Sequence, residues 1–408
     1  MSESLKRVVV IGGAGAMGQV VVRDLLDCPD IEVVISDYDR DKADALAESL
    51  KSDRVRGDFT DITNKPVMVK GLKNAHCVIN STPYYHNVNV MQAALEAGCH
   101  YVDLGGLFHV TKEQLKLSEE FKAKGLTAVL GMGAAPGMTN IMAACAAEKM
   151  DTLESIDIYV GSIDNTVCQH PFLPPYSIET LIDEYTLSPM VFEEGEYREK
   201  PALSGAVAVD FPAPVGRQEA IYTLHSEVLT LPMTYKDKGI KTTTFRLGLP
   251  LEFHDKLKFL MSIGLGGKEK IATKEGEFTP RKIFAALINS FPAPDMTPDD
   301  CEVIRVDVVG KSGGKAILCR METTVFNDTK WNVSCGALDT GVPPSIVAQM
   351  LVKGDITARG ALAPEVAVPH EKFFAELAKR NIVMRRITEE FLTQTEDTKK
   401  SKKILQPS

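Results

Sequence analysis

The sequence predicts an α/β protein with a doubly wound parallel sheet and a second α+β domain of mostly antiparallel sheet. A glycine-rich turn directly follows the first apolar strand. Short apolar strands then alternate with amphipathic helices up to about residue 130, and longer alternating or β-branched strands follow from about residue 155. Strand-helix alternation is typical of a parallel sheet covered by helices on both faces, whereas successive long strands favour antiparallel pairing.

The first strand, Val8 to Ile11, leads into a G-x-G-x-x-G pattern. This spacing permits a tight turn, a close approach of the backbone to a pyrophosphate, and close packing of helix on sheet. The N–H groups at the start of the helix can then bind an anion. We therefore expect a Rossmann dinucleotide site, with predicted contacts at Gly13, Ala14, Gly15, Ala16, Met17 and Gly18.

Asp37 ends the second predicted strand, and it lies 37 − 18 = 19 residues beyond Gly18. A carboxylate about 20 residues after the glycines is expected to accept hydrogen bonds from ribose hydroxyls and to repel a 2′-phosphate. We therefore expect NAD, with NADP as the lesser possibility because Arg40 is close in sequence. A solvated turn residue is the alternative interpretation of Asp37. Asp58, which follows the third predicted strand, Arg54 to Arg56, is also predicted to contact the cofactor.

A polar segment follows the fourth strand, Cys77 to Ile79. The carboxyl end of this strand is where a nicotinamide ribose is expected to lie. The alternative is a plain turn whose geometry is set by proline. Tyr85 in this segment is a candidate catalytic residue, and the predicted cofactor contacts are Asn80, Ser81, Thr82 and Pro83.

Asp103 ends the fifth strand and is followed by Gly105 and Gly106. An acid at this edge could hold a substrate amine or act as a base, and the alternative is that it caps N–H groups of its own loop. We expect the two glycines to contact substrate. Asn140 is predicted to do the same, because the small residues of the preceding segment permit a close approach.

His225 and Glu227 are predicted to share one face of a strand that runs from Ala220 to Leu231, because side chains alternate along a strand. An imidazole paired with a carboxylate can act as acid or base, or can bind an ammonium, whereas a structural cross-strand pair is the alternative. Arg217 and Arg246 are candidates to bind a substrate carboxylate in a bidentate way.

The composition restricts the protein's class. With 408 residues, 44% of them hydrophobic, the chain can bury two domain cores. The net charge of −9 argues against a nucleic-acid partner, and the lack of a long apolar stretch argues against a membrane span, so we expect a cytoplasmic protein. We expect neither zinc nor disulfides, because the histidines, including His170, lack ligand spacing and the cysteines form no C-x-x-C pair. The cysteines are Cys28, Cys77, Cys99, Cys145, Cys168, Cys301, Cys319 and Cys335.

The predicted domain boundaries follow these patterns. Residues 1–135 form the Rossmann domain, which is completed by about residues 343–392, and residues 136–342 form the substrate domain. Pro343 and Pro344 are predicted to open a helix of the returning segment. The polar, lysine-rich residues 393–408 are predicted to be a flexible tail.

Two motifs are more specific than the glycine pattern. The segment Tyr101 to Gly106, which reads Y-V-D-L-G-G, and the segment Ala135 to Ile141, which reads A-P-G-M-T-N-I, resemble the saccharopine dehydrogenase-like family, and within it the lysine 6-dehydrogenase type. The resemblance covers nearly the whole chain. It departs from that type around His225 to Glu227 and at Phe245 to Leu249, where lysine 6-dehydrogenases tend to carry an R-Y-x-G-H segment.

The resemblance implies a Rossmann domain, a mixed α/β substrate domain, and NAD(P)-linked oxidative deamination of an amino-acid substrate through an imine. The catalytic candidates for that chemistry are Asp103, His225, Glu227 and Tyr85. A condensing reductase of saccharopine or carboxynorspermidine type is the alternative within enzymes, and an NAD(H)-binding sensor without turnover is the alternative of another class. We expect a homodimer or a higher homo-oligomer.

Overall fold

The computed structural model describes residues 5–167, 172–291 and 296–392, and the chain divides into two compact units. Unit 1 comprises the described residues up to Glu148, together with Leu229–Asp237 and Ala337–Arg385. Unit 2 comprises Lys149–Val228, Lys238–Gly336 and the described residues from Arg386 onwards. Cys168, His170 and the predicted tail at 393–408 lie outside the described residues.

The strands follow one another along the chain as β1 (Lys6–Ile11), β2 (Ile31–Asp37), β3 (Val55–Phe59), β4 (Cys77–Asn80), β5 (His100–Asp103), β6 (Thr127–Val129), β7 (Thr152–Asp164), β8 (Met190–Glu193), β9 (Glu196–Glu199), β10 (Val207–Asp210), β11 (Arg217–Tyr222), β12 (Thr242–Gly248), β13 (Ile271–Thr273), β14 (Gly276–Phe278), β15 (Asp300–Ser312), β16 (Lys315–Phe326), β17 (Gly360–Leu362) and β18 (Arg385–Glu390).

The α-helices are α1 (Ala16–Leu26), α2 (Arg40–Ser49), α3 (Lys65–Gly71), α4 (Asn87–Ala97), α5 (Leu107–Leu115), α6 (Ser118–Ala123), α7 (Met138–Ala147), α8 (Ile178–Thr186), α9 (Glu227–Thr234), α10 (Leu251–Ser262), α11 (Pro280–Asn289), α12 (Cys335–Val352), α13 (Pro364–Ala367) and α14 (His370–Ala378).

Unit 1 contains a seven-stranded parallel sheet in the order β17-β6-β5-β4-β1-β2-β3. Its strands are buried on both faces, as in Val8, Val9 and Val10 of β1, which matches their continuous apolar sequence. The order reverses direction at β1 and β4, and such a switch point is where α/β sheets bind ligands. β17 pairs with β6, so the predicted Rossmann fold with a returning C-terminal segment is confirmed.

Unit 2 contains a mixed sheet in the order β10-β11-β12-β7-β15-β16-β18, with β8 on β12 and β9 on β8. β12 pairs in parallel with β7, whereas the pairs β10–β11, β11–β12, β8–β12, β8–β9, β7–β15 and β15–β16 are antiparallel. β15 and β16 form a hairpin around Gly313 and Gly314. The predicted α+β character is therefore confirmed. β13 and β14 form a separate hairpin.

The two faces of this sheet differ in chemistry. Residues paired across neighbouring strands point to the same face, so each row of paired residues lies on one face. One row is apolar and buried, and consists of Phe245, Ile158, Val306 and Met321. The next row lies on the opposite face and is polar, and consists of Tyr222, Arg246, Tyr159, Arg305 and Glu322.

Two local predictions were wrong. β11 ends at Tyr222, and Glu227 begins α9, so the expected strand from Ala220 to Leu231 is a strand, a loop and a helix. Short apolar runs fit either period, and burial of Val228 and Leu231 is compatible with both. The helix predicted to open at Pro343 begins at Cys335 and contains both prolines. Burial of Val342, Ile346 and Val347 offsets the cost of proline within a helix.

Candidate active site

The glycine turn between β1 and α1 has the geometry of an anion site. An added Cβ at Gly18 would lie 2.2 Å from the Gly12 carbonyl oxygen, and one at Gly13 would lie 2.8 Å from the Val10 carbonyl oxygen. These two positions therefore require glycine for close packing. At Gly15 an added Cβ would meet the Gly12 oxygen at 3.2 Å and no other atom of the described residues within 4 Å. The backbone is open there, at the N-terminus of α1, where N–H groups and the helix dipole favour a pyrophosphate.

Asp37 connects the end of β2 to the glycine turn. Its carboxylate accepts hydrogen bonds from the backbone N–H groups of Ala14 and Asp39, each at 3.1 Å. Each carboxylate oxygen has a second acceptor site, so ribose hydroxyls can still bind. Asp58 lies on the adjacent strand, where it is paired with Ser36 and accepts a hydrogen bond from Phe59 N at 2.9 Å.

The polar segment after β4 is hydrogen-bonded to the end of β1. The backbone N–H and the hydroxyl of Ser81 both donate to the Ile11 carbonyl oxygen, at 2.9 and 2.8 Å. Thr82 donates from its hydroxyl to Asn80 Oδ1 at 2.7 Å, and its methyl lies beside Gly12. Asn80, Ser81 and Thr82 therefore lie at the same sheet edge as the glycine turn, at the switch point.

Pro83 precedes a 3₁₀ turn at Tyr84–His86. Within it Tyr85 is 55% exposed, and its ring contacts those of Tyr84 and His86. An exposed phenol at the sheet edge is accessible to a ligand, so a catalytic role for Tyr85 stays a prediction.

Asp103 is fully buried and its carboxylate organises two loops. One oxygen accepts hydrogen bonds from the backbone N–H groups of Gly105 at 3.0 Å and Gly131 at 2.8 Å, and the other accepts from Gln114 Nε2 at 2.6 Å. Burial raises the pKa of Asp103, although these hydrogen bonds oppose the rise. The geometry favours loop capping, which is the alternative interpretation, over acid-base catalysis.

The glycines after Asp103 are closely packed. An added Cβ at Gly106 would lie 2.6 Å from Gln114 Oε1, and Gly105 has a positive φ of 147° that an L side chain rarely adopts. Contacts of these glycines with substrate stay a prediction.

Asn140 uses both ends of its amide within unit 1. Its Oδ1 accepts from Gly137 N at 3.0 Å, which caps α7, while Nδ2 donates to Glu365 Oε2 at 2.8 Å and to Thr230 Oγ1 at 3.2 Å. Asn140 is 1% exposed. These contacts explain why an asparagine is present, and its predicted role in substrate binding stays a prediction.

Unit 2 contains a buried cluster around His225. The imidazole lies flat on the ring of Phe245, with centroids 3.5 Å apart. Its Nδ1 is 3.3 Å from Glu227 Oε2 and its Nε2 is 3.5 Å from Glu184 Oε1. The Tyr176 hydroxyl donates to the other oxygen of Glu184. We call these four polar residues, Tyr176, Glu184, His225 and Glu227, the His225 cluster.

The carboxylates of the His225 cluster control the charge of the imidazole. Burial alone would lower the pKa of His225, but Glu227 and Glu184 outweigh burial and raise it to about 9. His225 is therefore an imidazolium at neutral pH. The cluster then holds one positive charge between two acidic side chains.

The sequence alone did not identify Glu184 and Tyr176. Glu184 is 3% exposed and follows Leu181 by one helical turn, so it occupies a position on the apolar face of α8. An acidic residue on the apolar face of a helix is the sequence feature that could have marked Glu184 as a candidate functional residue. The resemblance included this stretch without distinguishing those residues.

The candidate arginines lie apart from the His225 cluster. Arg246 follows Phe245 in β12 and faces the other side of the sheet, where it donates to Gly205 O at 3.1 Å, Thr244 Oγ1 at 2.8 Å and Tyr222 Oη at 2.6 Å. Arg217 is exposed on β11 and pairs with Asp210 at 3.3 Å. Neither arginine touches the cluster, so their roles in substrate binding stay predictions.

Comparison with known proteins identifies the family. The family model for the saccharopine dehydrogenase NADP binding domain matches residues 8–129. The model for the saccharopine dehydrogenase C-terminal domain matches residues 133–383. The chain belongs to the saccharopine dehydrogenase family. The resemblance to this family is confirmed, and the protein is an oxidoreductase of this family.

Relatives of known function are similar over nearly their whole length. Carboxynorspermidine synthase of Vibrio cholerae is 24% identical over 88% of this chain and 91% of that protein. Carboxyaminopropylagmatine dehydrogenase of Synechocystis is 23% identical over 92% of this chain and 96% of that protein. The saccharopine dehydrogenase (L-Glu forming) of Saccharomyces cerevisiae has the same fold, with a TM-score of 0.73 over 94% of this chain and 100% of that chain, at 18% identity.

Membership of the saccharopine dehydrogenase family implies a nicotinamide dinucleotide cofactor, and unit 1 fits one. The open backbone at Gly15 can take the pyrophosphate, and Asp37 can take a ribose. Ser81 and Thr82 lie at the switch point next to the turn. In the part of the chain that the structure describes, no group of three His, Cys, Asp or Glu side chains is arranged to hold a metal ion. No helix among those residues is long and apolar enough to cross a membrane.

Proposed function

We propose that this protein is a condensing reductase, which joins an amine to a carbonyl compound through an imine and reduces the imine. The observation that carries the proposal is a buried imidazolium, His225, held between the carboxylates of Glu184 and Glu227. A proton donor of this kind matches the reductive direction. The names of the curated relatives, which refer to amine-containing products, support the same class of substrate.

The reaction needs protons at two points. A primary amine adds to an aldehyde or keto group, and the resulting carbinolamine loses water to form the imine, a step that requires a proton on the leaving hydroxyl. The imine nitrogen must carry a proton to accept hydride efficiently. His225 as an imidazolium can supply such protons, and general acid catalysis typically contributes about 10²–10⁴-fold. The dinucleotide supplies the hydride, and the products are a secondary amine and water.

The two carboxylates of the cluster suit an amine substrate. Two acidic side chains face a single imidazole in a buried place, so acidic groups outnumber basic groups in the cluster. Buried acidic groups attract a cationic group strongly, because little water screens the interaction. We propose that the amine substrate carries a second basic group, as diamines and agmatine do.

Oxidative deamination of the lysine 6-dehydrogenase type is the alternative. Both routes need a neutral amine, but oxidative deamination also requires a base that activates the water molecule that attacks the iminium carbon after hydride release. With a pKa of about 9, His225 is largely protonated at neutral pH and is a poor base there. The His225 cluster therefore favours reduction at neutral pH. The rate of oxidation is expected to increase only at more alkaline pH.

We further propose NAD rather than NADP as the preferred cofactor, although the description of the matching family model names NADP. Asp37 and Asp39 place two carboxylates after β2, where a 2′-phosphate would be repelled. Arg40, the residue that could favour NADP, pairs with Asp44 at 3.3 Å. Affinities for NADH and NADPH, measured by calorimetry, test this directly.

The test of the reaction is a two-substrate assay. Nicotinamide absorbance is followed with reduced cofactor against amines (diamines, agmatine and lysine), carboxylate-bearing aldehydes or keto acids, and pairs of the two. We expect consumption only with an amine and a carbonyl compound together. Reduction of the oxidised cofactor by an amine alone, with no activity for any pair, would instead establish the deaminase. Cofactor binding without turnover in either direction would favour the sensor.

The role of His225 is tested in the same assay. His225→Gln is expected to lower kcat by about 10²–10⁴-fold, because the proton donor is lost, while cofactor affinity is unchanged. His370→Gln is the matched control, since His370 pairs with Glu148 in unit 1 and lies outside the cluster. Equal activities of the two variants would contradict the assignment.

A further inference from the structure

Two exposed aromatic rings lie beside the dinucleotide end of unit 1. Tyr38 is 75% exposed and Phe59 is 43% exposed. Their ring centroids are 5.9 Å apart and their planes are inclined by 46°. Exposure of two adjacent large rings leaves apolar surface in water, and contiguous apolar patches on a protein surface often mark binding sites. Neither residue was singled out from the sequence.

The position of the rings is fixed by the strands. Tyr38 directly follows Asp37, the last residue of β2, and Phe59 is the last residue of β3. Asp37 and Phe59 are paired across the two strands, and Thr60 N donates to the Asp37 carbonyl oxygen at 2.9 Å. Both rings are therefore held at the carboxyl ends of the strands, next to the predicted ribose-binding carboxylate.

This placement determines which part of a dinucleotide the rings can reach. A pyrophosphate at the N-terminus of α1 and a ribose at Asp37 would direct the base of that ribose away from the switch point, towards β2 and β3. Tyr38 and Phe59 lie at those two strand ends. The nicotinamide half would extend in the other direction, towards β4.

We propose that Tyr38 and Phe59 form a stacking platform for the adenine ring of the dinucleotide. The flat face of the base covers the exposed face of Tyr38, and Phe59 supports that ring from the side. Stacking of a base on an aromatic side chain contributes affinity without requiring hydrogen bonds to the base edge. The neighbouring charges are already paired, since Lys42 contacts Asp39 and Arg40 contacts Asp44, each at 3.3 Å.

The proposal rests on dinucleotide binding by unit 1 and does not depend on the condensation reaction. If the two-substrate assay fails, adenine binding can still be tested alone. If adenine binding fails, the acid-base role of His225 is unaffected.

The experiment measures the affinity of the full-length protein for ADP-ribose by calorimetry. Tyr38→Ala is expected to raise Kd about tenfold, because base stacking on an aromatic ring contributes about 1–3 kcal/mol and each 1.4 kcal/mol is about tenfold. Tyr38→Phe keeps the ring and is expected to keep the affinity within about twofold. Thermal unfolding of each variant verifies that the fold is intact.

A matched control and a spectroscopic readout complete the test. Tyr197→Ala removes a tyrosine of unit 2 that is 38% exposed and packs on Phe192, and it is expected to leave Kd unchanged. Tyr38→Trp is expected to show fluorescence quenching on addition of ADP-ribose, above the signal of Trp331 in the parent protein. An unchanged Kd for Tyr38→Ala, or a Tyr38→Phe variant as weak as Tyr38→Ala, would overturn the platform.

Discussion

The imidazole of His225 lies flat on the ring of Phe245, with centroids 3.5 Å apart and planes inclined by only 13°. Phe245 closes one face of the imidazole to water, while Glu184 and Glu227 flank its two nitrogens. An ion pair shielded from water is stronger than one at the surface. This arrangement fixes the ring orientation and keeps the imidazole charged, which is what a proton donor at neutral pH requires.

The first prediction concerns the pH dependence set by Glu227. In the parent protein the protonated His225 is the active form, so reductive kcat/KM is expected to fall as pH rises through about 9. Glu227→Gln removes one of the carboxylates that raise the pKa of His225, so the midpoint of this fall should move down by about 1–3 pH units. Glu219→Gln, an exposed acid on β11, is the control and should leave the midpoint in place. A midpoint that does not move, or that moves up, would contradict the role of Glu227.

The same ion pairs connect pH to stability. The pKa of His225 is raised above its unfolded value, so their stabilisation is complete below about pH 6.5 and is lost as pH rises through about 9. Glu227→Gln should therefore reduce the difference in unfolding free energy between pH 6 and pH 10. Urea unfolding followed by Trp331, the only tryptophan of the chain and part of unit 2, measures that difference.

The second prediction concerns Tyr176, which acts through Glu184. Its hydroxyl binds one oxygen of Glu184 and so directs the other oxygen towards His225. Tyr176→Phe should lower kcat about tenfold, because a hydrogen bond to a charged group contributes about 1.5–3 kcal/mol. The fall of kcat/KM at alkaline pH should also move to lower pH, because Glu184 is then free to turn away from the imidazole.

Tyr185→Phe is the matched control for Tyr176→Phe. Tyr185 is a neighbouring buried tyrosine on α8 whose hydroxyl pairs instead with His254 Nδ1 at 2.8 Å. Loss of the Tyr185 hydroxyl should leave the pH at which kcat/KM falls unchanged. A purely structural role of Tyr176 would lower stability in both variants and shift the pH profile in neither.

The outcome for individual residues shows what sequence could predict. The glycine turn and Asp37 are local in sequence, so their spacing alone predicted the turn between β1 and α1 and the carboxylate beside it. The His225 cluster joins Glu184 of α8 to His225, which lies 225 − 184 = 41 positions later in the loop before α9, and no local period encodes that contact. His225 and Glu227 were predicted to be close because they are near in sequence, and they are close, but in a loop and a helix start rather than on a strand.

The sequence also did not predict which residues face each side of the sheet at β12. Arg246 and His225 were both candidates, yet whether they share a site depends on which side of the sheet each faces. That follows from the pairing of β12 with β7 and from the stacking of His225 on Phe245. Sequence patterns predict strands more readily than they predict the surroundings of each strand face.

The third prediction separates the two candidate arginines. Arg246→Ala should lower the free energy of unfolding by about 2–4 kcal/mol, because Gly205 O, Thr244 and Tyr222 each lose a buried hydrogen-bond donor. Arg246→Lys should not restore it, since one ammonium cannot replace the planar guanidinium. Arg217→Ala removes an exposed ion pair and should change stability by no more than about 1 kcal/mol.

Urea unfolding followed by Trp331 measures these changes, since both arginines lie in unit 2. The KM for the carboxylate-bearing substrate is measured alongside. A large rise in KM for Arg217→Ala at unchanged stability would establish Arg217 as a substrate ligand. The same result for Arg246→Lys would show that Arg246 binds substrate rather than only supporting the sheet.

The fourth prediction concerns the attachment of the returning segment to α1. Asp24 is fully buried, and its carboxylate accepts from Arg380 Nε at 2.5 Å and Nη2 at 3.0 Å, from Ser345 Oγ at 2.6 Å and from Gln349 Nε2 at 3.1 Å. Arg380→Ala leaves this carboxylate buried without its cation. Breaking a buried ion pair in this way costs about 3–5 kcal/mol. Hydrogen exchange of α1, followed by mass spectrometry, should therefore accelerate strongly.

Adding Asp24→Asn to Arg380→Ala tests the reason for that loss. If the cost comes from the uncompensated charge, the neutral amide should restore part of the protection of α1, because it can still accept from Ser345 and Gln349. A double variant less stable than Arg380→Ala would show instead that the remaining hydrogen bonds need the charge of Asp24. Lys379→Ala is the control, since Lys379 pairs with Glu376 at the surface and its loss should leave exchange in α1 unchanged. Because the N-terminus of α1 is the predicted pyrophosphate site, weaker attachment of α1 in Arg380→Ala should also lower the affinity for the dinucleotide.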